Sequence, residues 1–162
     1  MEQAKDLYGI FDSHAHYDDD AFAENREDVI SRIHQNGVCG VVNIGCDLKS
    51  SQFSMMLSEK YDWFYASVGI HPGNAEEFDK DTLTELESLL NHPKVVAIGE
   101  IGLDYHYSSE NKKIQKDIFY MQMELAQKKG LPVILHIREA TADMFEIIRQ
   151  FPANGVVHCF SG

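Results

Sequence analysis

Five positions in this chain combine ligand-type side chains with strand-like surroundings. The first is a pair. The run Phe11-Asp12-Ser13-His14-Ala15-His16 reads as the end of a β-strand, and residues two apart on a strand point to the same face. His14 and His16 can therefore aim two imidazoles at one point, and imidazole is a common ligand of first-row metals. Glu100 ends the apolar run Val95-Val96-Ala97-Ile98-Gly99, His136 ends Val133-Ile134-Leu135, and His158 ends Val156-Val157. Each is expected to cap a strand at its C-terminal end. A core histidine explains one such position, but not ligand-type residues repeated at the ends of four strands. A carboxylate can bridge two metals, which makes Glu100 the candidate bridging and catalytic residue. His14 and His16 then serve one metal, and His136 and His158 the second.

Other polar residues are open to two readings. His71, in Gly69-Ile70-His71-Pro72-Gly73, follows a strand at the same end as the ligands and suits either a substrate contact or a loop-structural role. Arg138 lies two residues beyond His136. Its guanidinium fork fits a phosphate oxygen and equally a salt bridge to Glu139. His106, after Asp104-Tyr105, is undecided. His34 is expected on the solvent face of a helix. His92, before Pro93, is expected at a helix C-terminus, where the helix dipole favours a cation.

The elements that must position these residues alternate. Strand-like runs cover 9–14, 38–45, 63–70, 94–100, 132–136 and 155–158, and helical patterns cover 24–35, 50–60, 82–90, 112–129 and 140–150. The first helix stops at Asn36-Gly37, a helix-end signal. Thr82 and Glu85 have capping-box spacing at the start of the third. The fourth repeats Ile114, Ile118, Met121 and Leu125 and ends at Gly130, with Pro132 beyond. Continuous apolar strands alternating with helices imply a parallel sheet covered by helices, hence an α/β fold. Six strands and five helices fall short of the eight of each in a closed TIM (β/α)8 barrel of about 250 residues. On count alone an open parallel sheet competes with an incomplete barrel. A barrel would gather catalytic residues at the C-terminal strand ends, where these ligands lie.

Composition narrows the class. The sequence has 162 residues, with 44% hydrophobic and 25% charged, as expected of one globular domain. No apolar run is long enough to span a bilayer, and the N-terminus carries no signal-like h-region. Cys39, Cys46 and Cys159 form no C-x-x-C pair, which argues for a reducing, cytoplasmic setting. Cys39 and Cys159 lie in apolar runs and are expected to be small core residues. The net charge of −12 excludes a general basic patch for gripping nucleic acid. Any attraction for phosphate must be local, as a bound cation cluster would supply.

Taken together, Asp12-Ser13-His14-Ala15-His16, Gly69-Ile70-His71-Pro72, Gly99-Glu100-Ile101-Gly102-Leu103-Asp104-Tyr105, His136-Ile137-Arg138-Glu139-Ala140 and His158-Cys159-Phe160-Ser161-Gly162 resemble, in order and approximate spacing, the TatD-type metal-dependent deoxyribonucleases of the amidohydrolase-like superfamily. The resemblance runs from Ile10 onward. It implies a TIM barrel that hydrolyses DNA phosphodiester bonds with two divalent metal ions, Mg first, with Zn or Mn as alternatives. It implies that His14 and His16 bind one metal, that Glu100 bridges, and that His136 and His158 bind the other. It also places His71, Asp104 and Arg138 near the substrate, DNA that is single-stranded or presented as ends. The family carries a further aspartate ligand on a later strand, and the sequence reaches Gly162 without it. Residues 1–162 are therefore expected to be one TatD-like hydrolase domain truncated at its C-terminus. By itself the chain is expected to fall short of full activity and to self-associate through open sheet edges. An amidohydrolase acting on cyclic amides or lactones is the competing enzyme, although many of those bridge their metals with a carbamylated lysine where this chain has Glu100. A non-catalytic binding fragment is the competing non-enzyme.

Overall fold

The computed structural model describes residues 9–106 and 110–160; Ser161 and Gly162 of the last motif lie outside them. The strands are β1 (Ile10–Ala15), β2 (Val38–Ile44), β3 (Phe64–Val68), β4 (Val95–Asp104), β5 (Val133–Arg138) and β6 (Gly155–Val157). The helices are α1 (Arg26–Gln35), α2 (Leu48–Lys60), α3 (Lys80–Leu89), α4 (Lys112–Lys129) and α5 (Thr141–Ile148), with short 3-10 turns at Asp20–Phe22 and Pro72–Glu77. All strand pairs are parallel, and the order is β1-β2-β3-β4-β5-β6. This order decides between the two architectures left open above. A doubly wound sheet reverses its strand order at a switch point, whereas here each strand pairs with the next along the chain. The fold is an incomplete (β/α)8-type barrel, and every strand ends on the same rim.

Local chemistry sets the helix limits. Asp47 caps α2: its carboxylate accepts from Ser50 N at 2.6 Å, and the Ser50 hydroxyl receives Asp47 N at 2.9 Å. Asp79 and Thr82 repeat the arrangement at α3, at 2.8 and 3.2 Å. The expectation that Thr82 opens α3 is thereby corrected. An aspartate satisfies free helix N–H groups at least as well as a threonine, so the helix begins at Lys80 and Thr82 is its third residue. Helix α4 follows expectation, closed by Gly130 at φ +66° with Lys128 and Lys129 in its last turn.

Apolar burial forms two layers. Between sheet and helices lie Val68, Ile98, Ile101 and Leu103 against Phe119, Met123, Leu86 and Met144, with Val41 and Phe64 against Ile30 and Leu57. A smaller cluster of Val42, Ile44, Ala97 and Ile134, joined by Cys46, Tyr65 and Val96, draws almost wholly on strands. It underlies the rim that carries the polar residues. The edge strands differ from the centre: Ile10, Phe11, Val156 and Val157 are exposed, because β1 and β6 each have one strand neighbour in this sheet. The expectation for Cys39 and Cys159 is also corrected. Both are exposed, and only Cys46 is partly buried; an apolar run buries only the face that has a partner. Among the described residues no helix is long and apolar enough to cross a membrane.

Candidate metal centre

The largest departure from the strand limits read in the sequence is at β4. Glu100 was expected to end it, yet the strand continues to Asp104, and Glu100 is buried within it at 4% exposure. Two glycines make this possible. The register with β5 shifts between Ile98 and Ile101, and the strands approach closely there. A Cβ on Gly99 would stand 2.6 Å from that of Ile134, and one on Gly102, at φ +143°, would stand 2.0 Å from the His136 carbonyl oxygen. Only glycine tolerates both demands at position 102. The Glu100 N–H donates to Gly45 O at 2.8 Å, which ties the carboxylate's strand to the end of β2.

Around Glu100 the structure assembles His14, His16, His136 and His158. The His14 and His16 side chains leave β1 on the face opposite Ala15, which packs under α1 and α2. His14 Nε2 lies 3.5 Å from Glu100 Oε2 and 3.1 Å from His16 Nε2. The His14 ring stacks on His158, centroids 3.5 Å apart. His136 Nδ1 lies 2.9 Å from Glu100 Oε1, on the other side. The chain that leads out of β1 is anchored by Asn43, fully buried, which accepts from Tyr17 N at 2.7 Å and donates to Ser54 and Asp18.

His71 joins from the third rim loop. Its N–H donates to Cys46 O at 2.8 Å, its ring lies edge-on to His136 at 4.3 Å, and its Nδ1 accepts from Gly73 N at 3.0 Å. Burial, with His136 alongside, pushes its pKa down to about 4. His71 is therefore neutral near pH 7. A neutral ring that accepts at Nδ1 carries its proton on Nε2, so His71 offers an N–H rather than a lone pair. A cavity of about 340 Å³ is lined by His71, Glu100, His136, Ile137, Arg138, His158 and Cys159. Arg138 is exposed at its edge. Glu139, the alternative partner considered for Arg138, receives His106 Nδ1 at 2.7 Å. His34 is exposed and stacks on Trp63, and His92 pairs with Glu59 at 3.2 Å; both are remote from the cavity.

The titration of the centre follows from these contacts. Burial would raise the Glu100 pKa, but hydrogen bonds from His136 and His14 outweigh it and hold the carboxyl well below the usual range. Burial would lower His136, but Glu100 and Asp104 on its two nitrogens raise it. His158 is lowered by burial and by His14. Burial and the Glu100 charge push the Cys46 thiol up to about 12.

Three overlapping sets have ligand atoms within 4.8 Å of one another: His14, Glu100 and His158; His16, Cys46 and Glu100; and His71, Glu100 and His136. Apart from His71, which presents an N–H, the imidazoles with Glu100 fit a divalent cation. Two imidazole nitrogens face each other across 3.1 Å, so at most one of them carries a proton and at least one lone pair points beside a carboxylate. Imidazole and carboxylate together suit Zn and Mn, and oxygen donors suit Mg. Cys46 was not anticipated as a member. It directly follows the strand-like run 38–45, so the strand-end rule applied to Glu100, His136 and His158 would have pointed to it; its place beside Glu100 depends on β3 lying between. Gln115 and Gln122 were also missed. They are 3% and 1% exposed. Gln115 bonds the N–H and C=O of Asp104, and Gln122 those of Ile70 next to His71. One signal existed: the two glutamines fall at helical spacing with Ile118 and Leu125, on the stripe of α4 that faces the sheet.

A buried carboxylate with converging imidazoles on the rim of an α/β barrel is an arrangement suited to a divalent cation. The chain belongs to the TatD-related DNase family, whose model matches residues 11–162. It is 39% identical over 156 residues to a Bacillus subtilis protein named "uncharacterized metal-dependent hydrolase YabD", covering 94% of this chain and 61% of that protein. It is 33% identical over 157 residues to the "3'-5' ssDNA/RNA exonuclease TatD" of Erwinia tasmaniensis, again covering 94% of this chain and 61% of that protein. The solved structure of YJJV, a TatD homologue from Escherichia coli, superposes with a TM-score of 0.87 at 33% identity, over 94% of this chain and 61% of that one. The chain thus spans about three-fifths of the length of these relatives.

Proposed function

We propose that residues 1–162 form a TatD-like domain that supplies the metal-binding part of a divalent-metal-dependent nuclease acting on DNA phosphodiester bonds. The observation that carries this reading is the convergence of His14, His16, His136 and His158 on buried Glu100, at the mouth of a cavity shared with His71 and Arg138. In this reading His14, His16, His136 and His158 would hold two divalent ions about Glu100, with Mg favoured and Zn or Mn as alternatives; the geometry groups His158 with His14 rather than with His136. When bound, such ions polarise a phosphoryl oxygen and yield a nucleophile from water near neutral pH.

The chain's own residues do the rest. Glu100, ionised at any working pH, supplies the negative charge that draws cations into a protein of net charge −12. His71 donates its Nε2–H to a phosphate oxygen, and Arg138 at the cavity edge offers a fork to another. The relatives named as single-stranded DNA/RNA exonucleases favour single strands or strand ends as substrate. Three free thiols fit a reducing, cytoplasmic setting. The exposed apolar side chains of β1 and β6 favour self-association, and a monodisperse monomer in sedimentation velocity would remove that part of the reading.

The deciding experiment gives the protein carrying this chain end-labelled single-stranded DNA, duplex DNA and a cyclic amide after metal depletion. Readdition of Mg, Mn or Zn should restore cleavage of the single strand. Restored turnover of the amide alone, or DNA cleavage indifferent to chelator, would overturn the proposal.

A further inference from the structure

The resemblance puts Asp104 near the substrate, but its surroundings direct it inward. Asp104 is 7% exposed. Its backbone is held on both sides by one side chain: Gln115 Oε1 accepts Asp104 N at 2.9 Å, and Gln115 Nε2 donates to Asp104 O at 2.8 Å. Its Oδ1 accepts from His106 N at 2.9 Å, and its Oδ2 lies 3.0 Å from His136 Nε2. Both carboxylate oxygens are thus engaged within the protein, on a strand whose position is fixed by α4. The His136 ring is held at its other nitrogen too, with Nδ1 2.9 Å from Glu100 Oε1.

These contacts divide the two nitrogens of His136 between two tasks. Each nitrogen faces a carboxylate, Nδ1 that of Glu100 and Nε2 that of Asp104. Among the described residues Glu100 belongs to all three candidate ligand sets and Asp104 to none, so the nitrogen beside Glu100 is the one placed to present a lone pair to a cation, while the nitrogen beside Asp104 keeps its proton. A carboxylate behind a metal-ligating imidazole fixes its tautomer and orientation, and loss of such a partner typically lowers metal affinity about 10–100-fold. We infer that Asp104 is a positioning residue: it holds the His136 Nε2–H and thereby commits Nδ1 to the metal face. The inference rests on the metal reading above. It removes Asp104 from the residues that touch substrate.

Cadmium-113 and nitrogen-15 NMR of the histidine-labelled chain loaded with Cd²⁺ tests this. His136 should couple to cadmium through Nδ1 and retain a protonated Nε2. In Asp104→Asn the amide can turn its NH₂ toward the ring. The coupling should then move to a mixture of Nδ1 and Nε2, with Cd²⁺ and Mn²⁺ affinity falling about 10–100-fold by titration calorimetry. Asp104→Glu, which keeps the charge, should restore Nδ1 coupling at least in part. In DNA cleavage by the protein carrying this chain, Asp104→Asn should lower kcat with little change in KM. Coupling through Nε2 in the unaltered chain would overturn the inference, and needs no variant to fold. So would unchanged affinity in Asp104→Asn with a raised KM, the signature of a substrate contact. If no histidine couples to cadmium, the metal reading falls and this inference with it, whereas Nε2 coupling sinks this inference alone.

Discussion

The two sides of Glu100 are built differently. On the β5 side His136 sits between two carboxylates, 2.9 Å from Glu100 and 3.0 Å from Asp104, and the strand beneath is clamped by Gln115. On the β1 side His14 faces His16 across 3.1 Å and stacks on His158, and its buried Nδ1 has no hydrogen-bond partner among the described residues. A buried polar atom left unpaired costs roughly 1–3 kcal/mol, and burial, with His14 alongside, holds the His158 pKa below its ordinary value. One half of the centre is balanced by protein charge alone. The other is arranged at some cost to folding and gains most from a cation. The difference teaches where rigidity resides: the β5 side fixes geometry, and a cation on the β1 side would convert its binding into stability.

The comparison breaks most sharply at the residue both halves share. Glu100→Gln keeps the shape but removes the charge, and metal-dependent turnover by the protein carrying this chain should fall on the order of 10³-fold, the loss of several kcal/mol of metal-borne stabilisation. Arg138→Lys keeps its charge and loses only the fork, so its loss should be smaller, on the order of 10-fold. Equal losses in a metal-saturated nuclease assay would mean that Glu100 is not central.

The next effect belongs to the β1 side. A divalent ion at about 100 times its Kd should stabilise the chain by about 2.7 kcal/mol by mass action, read as a shift in thermal or urea unfolding. His14→Gln should abolish most of that shift. Asp79→Ala should leave it intact. A His14→Gln chain that is stabilised as much as the unaltered one would show that this half holds no cation.

Acid stability separates His71 from its neighbours. Its folded pKa, about 4, lies below the ordinary 6.5. The folded state therefore resists protonation, and stability is lost as pH falls from about 6.5 towards 4. His136, with a raised pKa, works in the opposite sense: its contribution is full below 6.5 and fades as pH rises through its folded value. In His71→Asn the new side chain can still cap Gly73 N, and only the buried titration is removed. The stability lost between pH 6.5 and 4, measured by urea unfolding without metal, should shrink by on the order of 2 kcal/mol. An unchanged pH slope would mean that His71 is not buried as a neutral ring.

The smallest effect lies outside the centre. Asp79→Ala removes the α3 cap and should cost about 1 kcal/mol of stability with no change in metal affinity. A change in affinity would mean that the rim loops are less independent than the hydrogen bonding indicates.

Much of this was legible in the sequence, through particular residues. His14 and His16 were readable as a pair because strand geometry alone puts residues two apart on one face. His136 and His158 were readable because short apolar runs lead into them. Residues near Glu100 were harder. Val95 to Gly99 looks like a complete strand, and nothing local says that β4 continues through Glu100 to Asp104. That continuation depends on Gly99 and Gly102 letting β5 approach, and on Gln115, 11 positions along the chain, bonding the Asp104 backbone. Cys39 was misread for a similar reason: an apolar run reports the capacity for burial, and the partner that would realise it is a matter of assembly.

The sequence by itself determined the alternation of strands and helices, the candidate ligands and the family they resemble, because periodicity and residue type act over a few positions. The tertiary structure decided which ligands share a centre and what each nitrogen faces. Those outcomes depend on β1, β4, β5 and β6 meeting on one rim, and on groups such as Gln122 and Ile70, 52 residues apart, satisfying each other out of water. A buried hydrogen bond of that kind draws its free energy from exclusion of solvent, and solvent is excluded only once the whole layer has packed.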